Sequence, residues 1–118
     1  MSAIKKGGKL APVHPGEVLL EEFLKPMDLT ANRLATEIHV AATRIGEIIH
    51  GRRSITAETA IRLARYFGTT PDFWLRLQIR YDLEEAEDKI APIVRQIKPK
   101  SAQKRGKRRS PESPTNAA

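Results

Sequence analysis

The chain has 118 residues, no cysteine, 30% charged residues and a formal net charge of +7. That length suits one small domain with tails, and the absence of cysteine excludes a disulfide framework or a thiolate metal site, as in a reducing cytoplasm. Seven of the 21 Lys/Arg and one of the 14 acids lie from Lys98 onward, which leaves 14 basic and 13 acidic residues, a net of +1, in residues 1–97.

Any affinity of the folded part for a polyanion must therefore come from where its charges sit, not from their sum. Residues 1–12 are rich in Gly and Lys and read as a flexible N-terminal arm. They lack the apolar core of a signal peptide. No apolar run approaches the ~20 residues of a membrane span.

The first helix is expected from Pro15-Gly16 to Lys25, with Leu19, Leu20, Phe23 and Leu24 on one apolar face. Pro26 ends it, because the residue before a proline avoids the helical region. Thr30 is a candidate N-cap for a second helix that turns Leu34, Ala35 and Ile38 inward. A tight turn follows at His39-Val40, where histidine tolerates the left-handed conformation. The third helix is expected from about Ala41 to His50, with Ile45, Ile48 and Ile49 inward and Gly51 as its stop. Thr56 caps a fourth helix, with Ala60, Leu63, Ala64 and Phe67 facing the core and Gly68 ending it. Thr70-Pro71-Asp72 starts a fifth: a cap, a proline at the first position and an acid for the dipole. It is expected to reach about Lys89, before Pro92.

At 100° per residue, Phe73, Trp74, Leu77 and Tyr81 share one face of the fifth helix. Leu75, Ile79 and Leu83 share roughly the opposite face. Two apolar faces imply two partners. The bundle supplies one and a second copy of the chain is the simplest other, so Leu75, Ile79 and Leu83 are the candidate dimer interface. Residues 98–118, rich in Lys, Arg, Ser and Pro, read as a disordered basic tail. Without aromatic partners or periodicity, its cations can meet phosphates but cannot read bases.

Two short helices joined by a tight turn and followed by a basic loop have the form of a helix-turn-helix, which offers one helix end to the DNA major groove. The groove-facing positions are then Ala41, Ala42, Thr43 and Arg44, with Glu47 one turn on. Arg44 either donates two hydrogen bonds to a guanine edge or stays an ordinary surface arginine. Glu47 reads more readily as the partner of an arginine than as a base reader. Arg52, Arg53 and Ser54 suit phosphates, as do Thr30 and Asn32 at the start of the second helix. His14, His39 and His50 have no metal-ligand spacing, and no set of nucleophile, base and orienting group has usable spacing. Neither a cofactor, a metal nor an enzymatic activity is expected.

The segments HPGEVLLEEFLKPMDLT, LA, RIGEIIHGRRSIT and TAIRLARYFGTTPDFWLRLQIRYDL together resemble the HigA-type antitoxins, within the Xre/Cro-like helix-turn-helix superfamily. The resemblance spans residues 13 to about 97. It implies an all-α, five-helix, lambda-repressor-like domain over 13–97 that binds DNA and dimerises, with flexible termini. It further implies a cytoplasmic homodimer that binds double-stranded operator DNA, represses its own operon and neutralises a co-encoded HigB-type toxin that cleaves mRNA on the ribosome. Two departures stand out. Asp28 occupies a turn position where the family usually has glycine, and Ala41 stands where a serine cap is common. The alternatives are a solitary Xre-type repressor without a toxin, and an RNA- or ribosome-associated protein working through the tail.

Overall fold

Helix α1 (Pro15–Val18) begins where His14 turns its ring back, so that Nδ1 accepts from the Gly16 N–H at 2.9 Å. It continues as a π-helical segment, Leu19–Leu24. The expected ordinary helix is thus corrected over its second half: Lys25 N–H bonds to Leu20 C=O at 3.0 Å and Leu29 N–H to Leu24 C=O at 2.9 Å, both spanning five residues. The wider winding brings Leu19 and Leu24 closer to one face, and both are buried. Asp28 then turns the chain at φ +53°, the conformation that usually selects glycine.

The structure is a computed structural model that describes residues 12–100 together with two short backbone segments ahead of them. Those segments, β1 (Lys5–Lys6) and β2 (Lys9–Leu10), pair antiparallel. The rest of residues 1–11, and residues 101–118 of the tail, lie outside the described residues. The chain divides into two units, residues 1–87 and 88–118.

In the first unit follow α2 (Ala31–Ile38), α3 (Ala42–Ile49), α4 (Ala57–Phe67) and most of α5 (Pro71–Val94). The start and stop signals act as expected. Thr30 Oγ1 accepts from Arg33 N–H at 3.0 Å, Thr56 caps α4, and Gly68 ends it at φ +77°. Leu34, Ala35, Ile38, Ile45, Ile48, Ala60 and Leu63 form the core with Leu19, Leu24, Ile55 and Trp74. The centre of the fold is all-helical.

Two contacts hold this core to close tolerance. Gly16 lies against the backbone of α3, where an added Cβ would stand 1.8 Å from the Ile48 carbonyl oxygen. Gln78 is buried, and its Oε1 accepts from the Ile55 N–H at 2.7 Å while its Nε2 donates to Asp82 Oδ1 at 3.0 Å. A side-chain acceptor thus serves a backbone donor that no water reaches. Gln78→Leu should cost ~1–3 kcal/mol, because it strands that donor rather than merely deleting a bond. Urea unfolding would measure the loss, and an unchanged midpoint would contradict the assignment.

In the second unit α5 continues to Val94, past the expected end near Lys89. Pro92 lies inside the helix and contributes no backbone donor, and Arg95 N–H bonding to Ala91 C=O at 3.1 Å closes the last turn.

Candidate nucleic-acid interface

The geometry of the helix-turn-helix begins with the turn. His39 adopts φ +63°, ψ +47°, and Val40 N–H bonds back to Ala35 C=O at 3.0 Å. Arg62 of α4 locks this turn from behind. Its Nη1 donates to Ile38 C=O at 2.8 Å and to His39 C=O at 3.3 Å, and its Nη2 pairs with Glu58 Oε2 at 2.8 Å. Hydrogen bonding and charge from Arg62, then the charge of Arg44, hold the Glu58 carboxyl below its usual range. The sequence reading missed Arg62, since the turn carbonyls it holds lie more than twenty residues away.

Beyond the turn, α3 starts at Ala41, which has cap geometry but no side-chain cap bond, as its methyl side chain requires. Ala41, Ala42 and Thr43 are all exposed, so the first turn of α3 is open to solvent. Arg44 is neither free nor fully solvated. It is half-buried, with Nη1 donating to Thr59 Oγ1 at 3.4 Å, a long bond that costs little to exchange. It lines a recess of about 160 Å³ with Arg53, Ser54, Thr56, Glu58 and Thr59.

Glu47 is taken up by Arg53, whose Nε donates to Glu47 Oε1 at 2.7 Å. The pair ties the basic loop to α3, so Arg53 is oriented before any ligand arrives. Arg52 N–H bonds to Glu47 C=O at 2.8 Å, and Arg52 and Ser54 are both exposed. Thr30 spends one hydroxyl lone pair on the start of α2 and keeps its own O–H to donate. Asn32 is exposed one residue into the helix. The candidate residues from three segments thus accompany the turn and the two helices it joins.

The proposed dimer face separates into two parts. Leu75 is half-buried and packs on the core, so it is largely satisfied within one chain. Ile79 and Leu83 are 58% and 54% exposed. Arg76, Arg80, Glu84 and Glu87 join them around a shallow groove of about 410 Å³. Of the expected inner face, Trp74 is fully buried, with Nε1 donating to Thr69 Oγ1 at 2.9 Å, while Phe73 remains 37% exposed. No cluster of three or more His, Asp or Glu suited to a metal occurs among the described residues, and none of their helices is long and apolar enough to cross a membrane.

The helix-turn-helix family model matches residues 20–74. Virulence-associated protein I of Dichelobacter nodosus is 52% identical over 79 residues, covering 67% of this chain and 73% of that protein. Antitoxin HigA-1 of Vibrio cholerae is 37% identical over 91 residues, covering 77% of this chain and 86% of its own. The chain belongs to the HigA-type, Xre-like helix-turn-helix family. A solved structure of Pseudomonas aeruginosa antitoxin HigA with the higBA promoter superposes with a TM-score of 0.73 at 39% identity, covering 75% of this chain and 97% of that one. The family-model match, residues 20–74, spans the helix-turn-helix and ends in the first turn of α5.

Proposed function

We propose that this protein is an antitoxin which, as a homodimer, binds operator DNA to repress its own operon and neutralises a co-encoded toxin that cleaves mRNA. The observation that carries the DNA half is the open first turn of α3, flanked by the prearranged loop Arg52–Ser54 and the α2 start at Thr30 and Asn32. The superposition on an antitoxin solved with promoter DNA supports the same half. In this reading Thr43 and Arg44 meet base edges, Ala41 and Ala42 permit close approach, and Arg52, Arg53, Ser54, Thr30 and Asn32 grip phosphates. Arg44 would leave Thr59 to reach a guanine. Glu47 orients Arg53 and reads no base.

The dimer is supported by the exposed Ile79–Leu83 face and by its charges. Arg76 lies ahead of that pair, Arg80 between its two members, where it pairs with Glu84 Oε2 of its own helix at 3.5 Å, and Glu84 and Glu87 lie beyond Leu83. A second copy running antiparallel about a two-fold axis would set the Arg76 end of each face against the Glu87 end of the other, whereas a parallel copy would oppose like charges. The basic tail adds nonspecific affinity in this account, and nothing in it requires a catalytic residue, metal or cofactor.

The toxin half rests on family membership, and copurification tests it. Co-expression with the adjacent gene should yield a stable complex and rescue growth arrest caused by that gene product. Operator binding without such a complex would favour the solitary repressor. Within the DNA half, Arg44→Ala should cost ~1–3 kcal/mol and relax specificity at one base pair per half-site. Arg53→Ala should weaken binding to all sequences alike and reduce the slope of log K against log salt by roughly 0.9 for each phosphate no longer neutralised. Titrations in which the two variants behaved identically would remove these roles.

A further inference from the structure

His14 lies outside the helix-turn-helix, yet it stands where three elements meet. Its Nδ1 accepts the Gly16 N–H at 2.9 Å and so caps α1. Its ring meets Tyr81 of α5 edge-on, with centroids 4.8 Å apart. On another side lies Gly51, whose would-be Cβ stands 3.8 Å from the ring's Cγ. Gly51, at φ +75°, is the residue from which the basic loop departs.

We propose that His14 is a positioning residue for DNA binding: its neutral ring, standing next to Gly51 and braced by Tyr81, sets the direction in which residues 52–54 leave α3, and protonation releases it. The inference rests on the DNA-binding reading above. An Nδ1 that accepts a backbone N–H cannot also carry a proton, so the cap exists only with the neutral ring. A cation there would also face the positive end of α1. The charged groups around the ring act in opposition. From α5, the Asp82 carboxylate favours the charged form and the Tyr81 hydroxyl is neutral at these pH values. Gly51 brings no charge, and α1 contributes Glu17, whose N–H bonds to His14 C=O at 2.9 Å. Burial outweighs Asp82, so the His14 pKa lies below its usual 6.5. Its contribution to stability is therefore present above that value and is lost as pH falls through the lowered one.

His14→Asn separates the two jobs, because asparagine caps a helix as well as other good caps but has no ring. The full-length variant and wild type are titrated against a duplex of the DNA upstream of the gene and a scrambled duplex, from about pH 8 to about pH 5.5. At the upper end the variant should stay folded, its melting temperature lowered only by the loss of the ring's contact with Tyr81, yet bind the upstream duplex on the order of 3- to 10-fold more weakly, less than the loss of a whole charge-assisted bond. As pH falls, the ratio of the two dissociation constants should shrink towards one, since the wild-type ring is then released as well. A ratio that stays near one, or stays constant with pH, overturns the positioning role. Wild type that fails to prefer the upstream duplex at any pH overturns the DNA-binding reading instead.

Discussion

Gly16→Ala is expected to destabilise the fold by about 3 kcal/mol or more, a large share of the ~5–15 kcal/mol that holds a domain of this size. The new Cβ would meet the Ile48 carbonyl oxygen at 1.8 Å, the Ile48 carbonyl carbon at 2.6 Å and the Ile49 Cα at 3.0 Å. All three are backbone atoms, so no side-chain rotation relieves the clash, and α1 must lift away from α3. Each kcal/mol lowers the melting temperature by roughly 4–8 °C in a domain of this length. A fall exceeding ~12 °C is therefore expected by circular dichroism. A melting temperature within about 2 °C of wild type would mean that the two helices do not cross this closely. Because α3 is also the candidate recognition helix, any folded Gly16→Ala protein should bind DNA more weakly.

Ile79→Asp should separate association from folding. In a single chain Ile79 is 58% exposed, so a carboxylate there costs the isolated fold little. In the proposed antiparallel dimer the same carboxylate would be driven out of water into the apolar contact around Leu83. That should weaken association by about 3 kcal/mol or more, over ~100-fold in dissociation constant. Light scattering at micromolar concentration should give a dimer for wild type and a monomer with unchanged helix content for the variant. A wild-type monomer would refute the dimer. A variant that stays dimeric would move the interface to another surface.

The features legible from sequence were those written in local chemistry. Thr30, Thr56 and Gly68 act as caps and stops because the atoms they engage lie within four residues. Asp28 and His39 accept positive φ because each side chain tolerates a left-handed backbone. The Glu47–Arg53 pair was also foreseeable in kind, though not its partner's identity. What escaped depends on tertiary placement. A search at helical period treats Leu19 to Leu24 as one ordinary face and cannot register that five-residue bonding realigns them. Gln78 reads as a surface residue until Ile55 is seen to need an acceptor. Arg62 and the Arg44–Thr59 contact join segments separated in sequence, and Gly16 matters only because α3 passes over it. Leu75 follows the outer stripe in the pattern but packs on the core. Pro92 reads as a stop, yet a helix near its end loses little at one missing donor.

The central claim is that the first turn of α3 and the loop after it read a palindromic operator. The most direct measurement is footprinting and salt-dependent titration of the full-length protein on the DNA upstream of its own gene, beside a scrambled duplex of equal length. The account predicts protection of two half-sites about 10 bp apart, one helical turn. It also predicts binding at least ~10³-fold tighter than to the scrambled duplex at physiological salt. Equal affinity for the two duplexes, falling together as salt rises, would contradict it, because the protein would then be gripping phosphates without reading sequence.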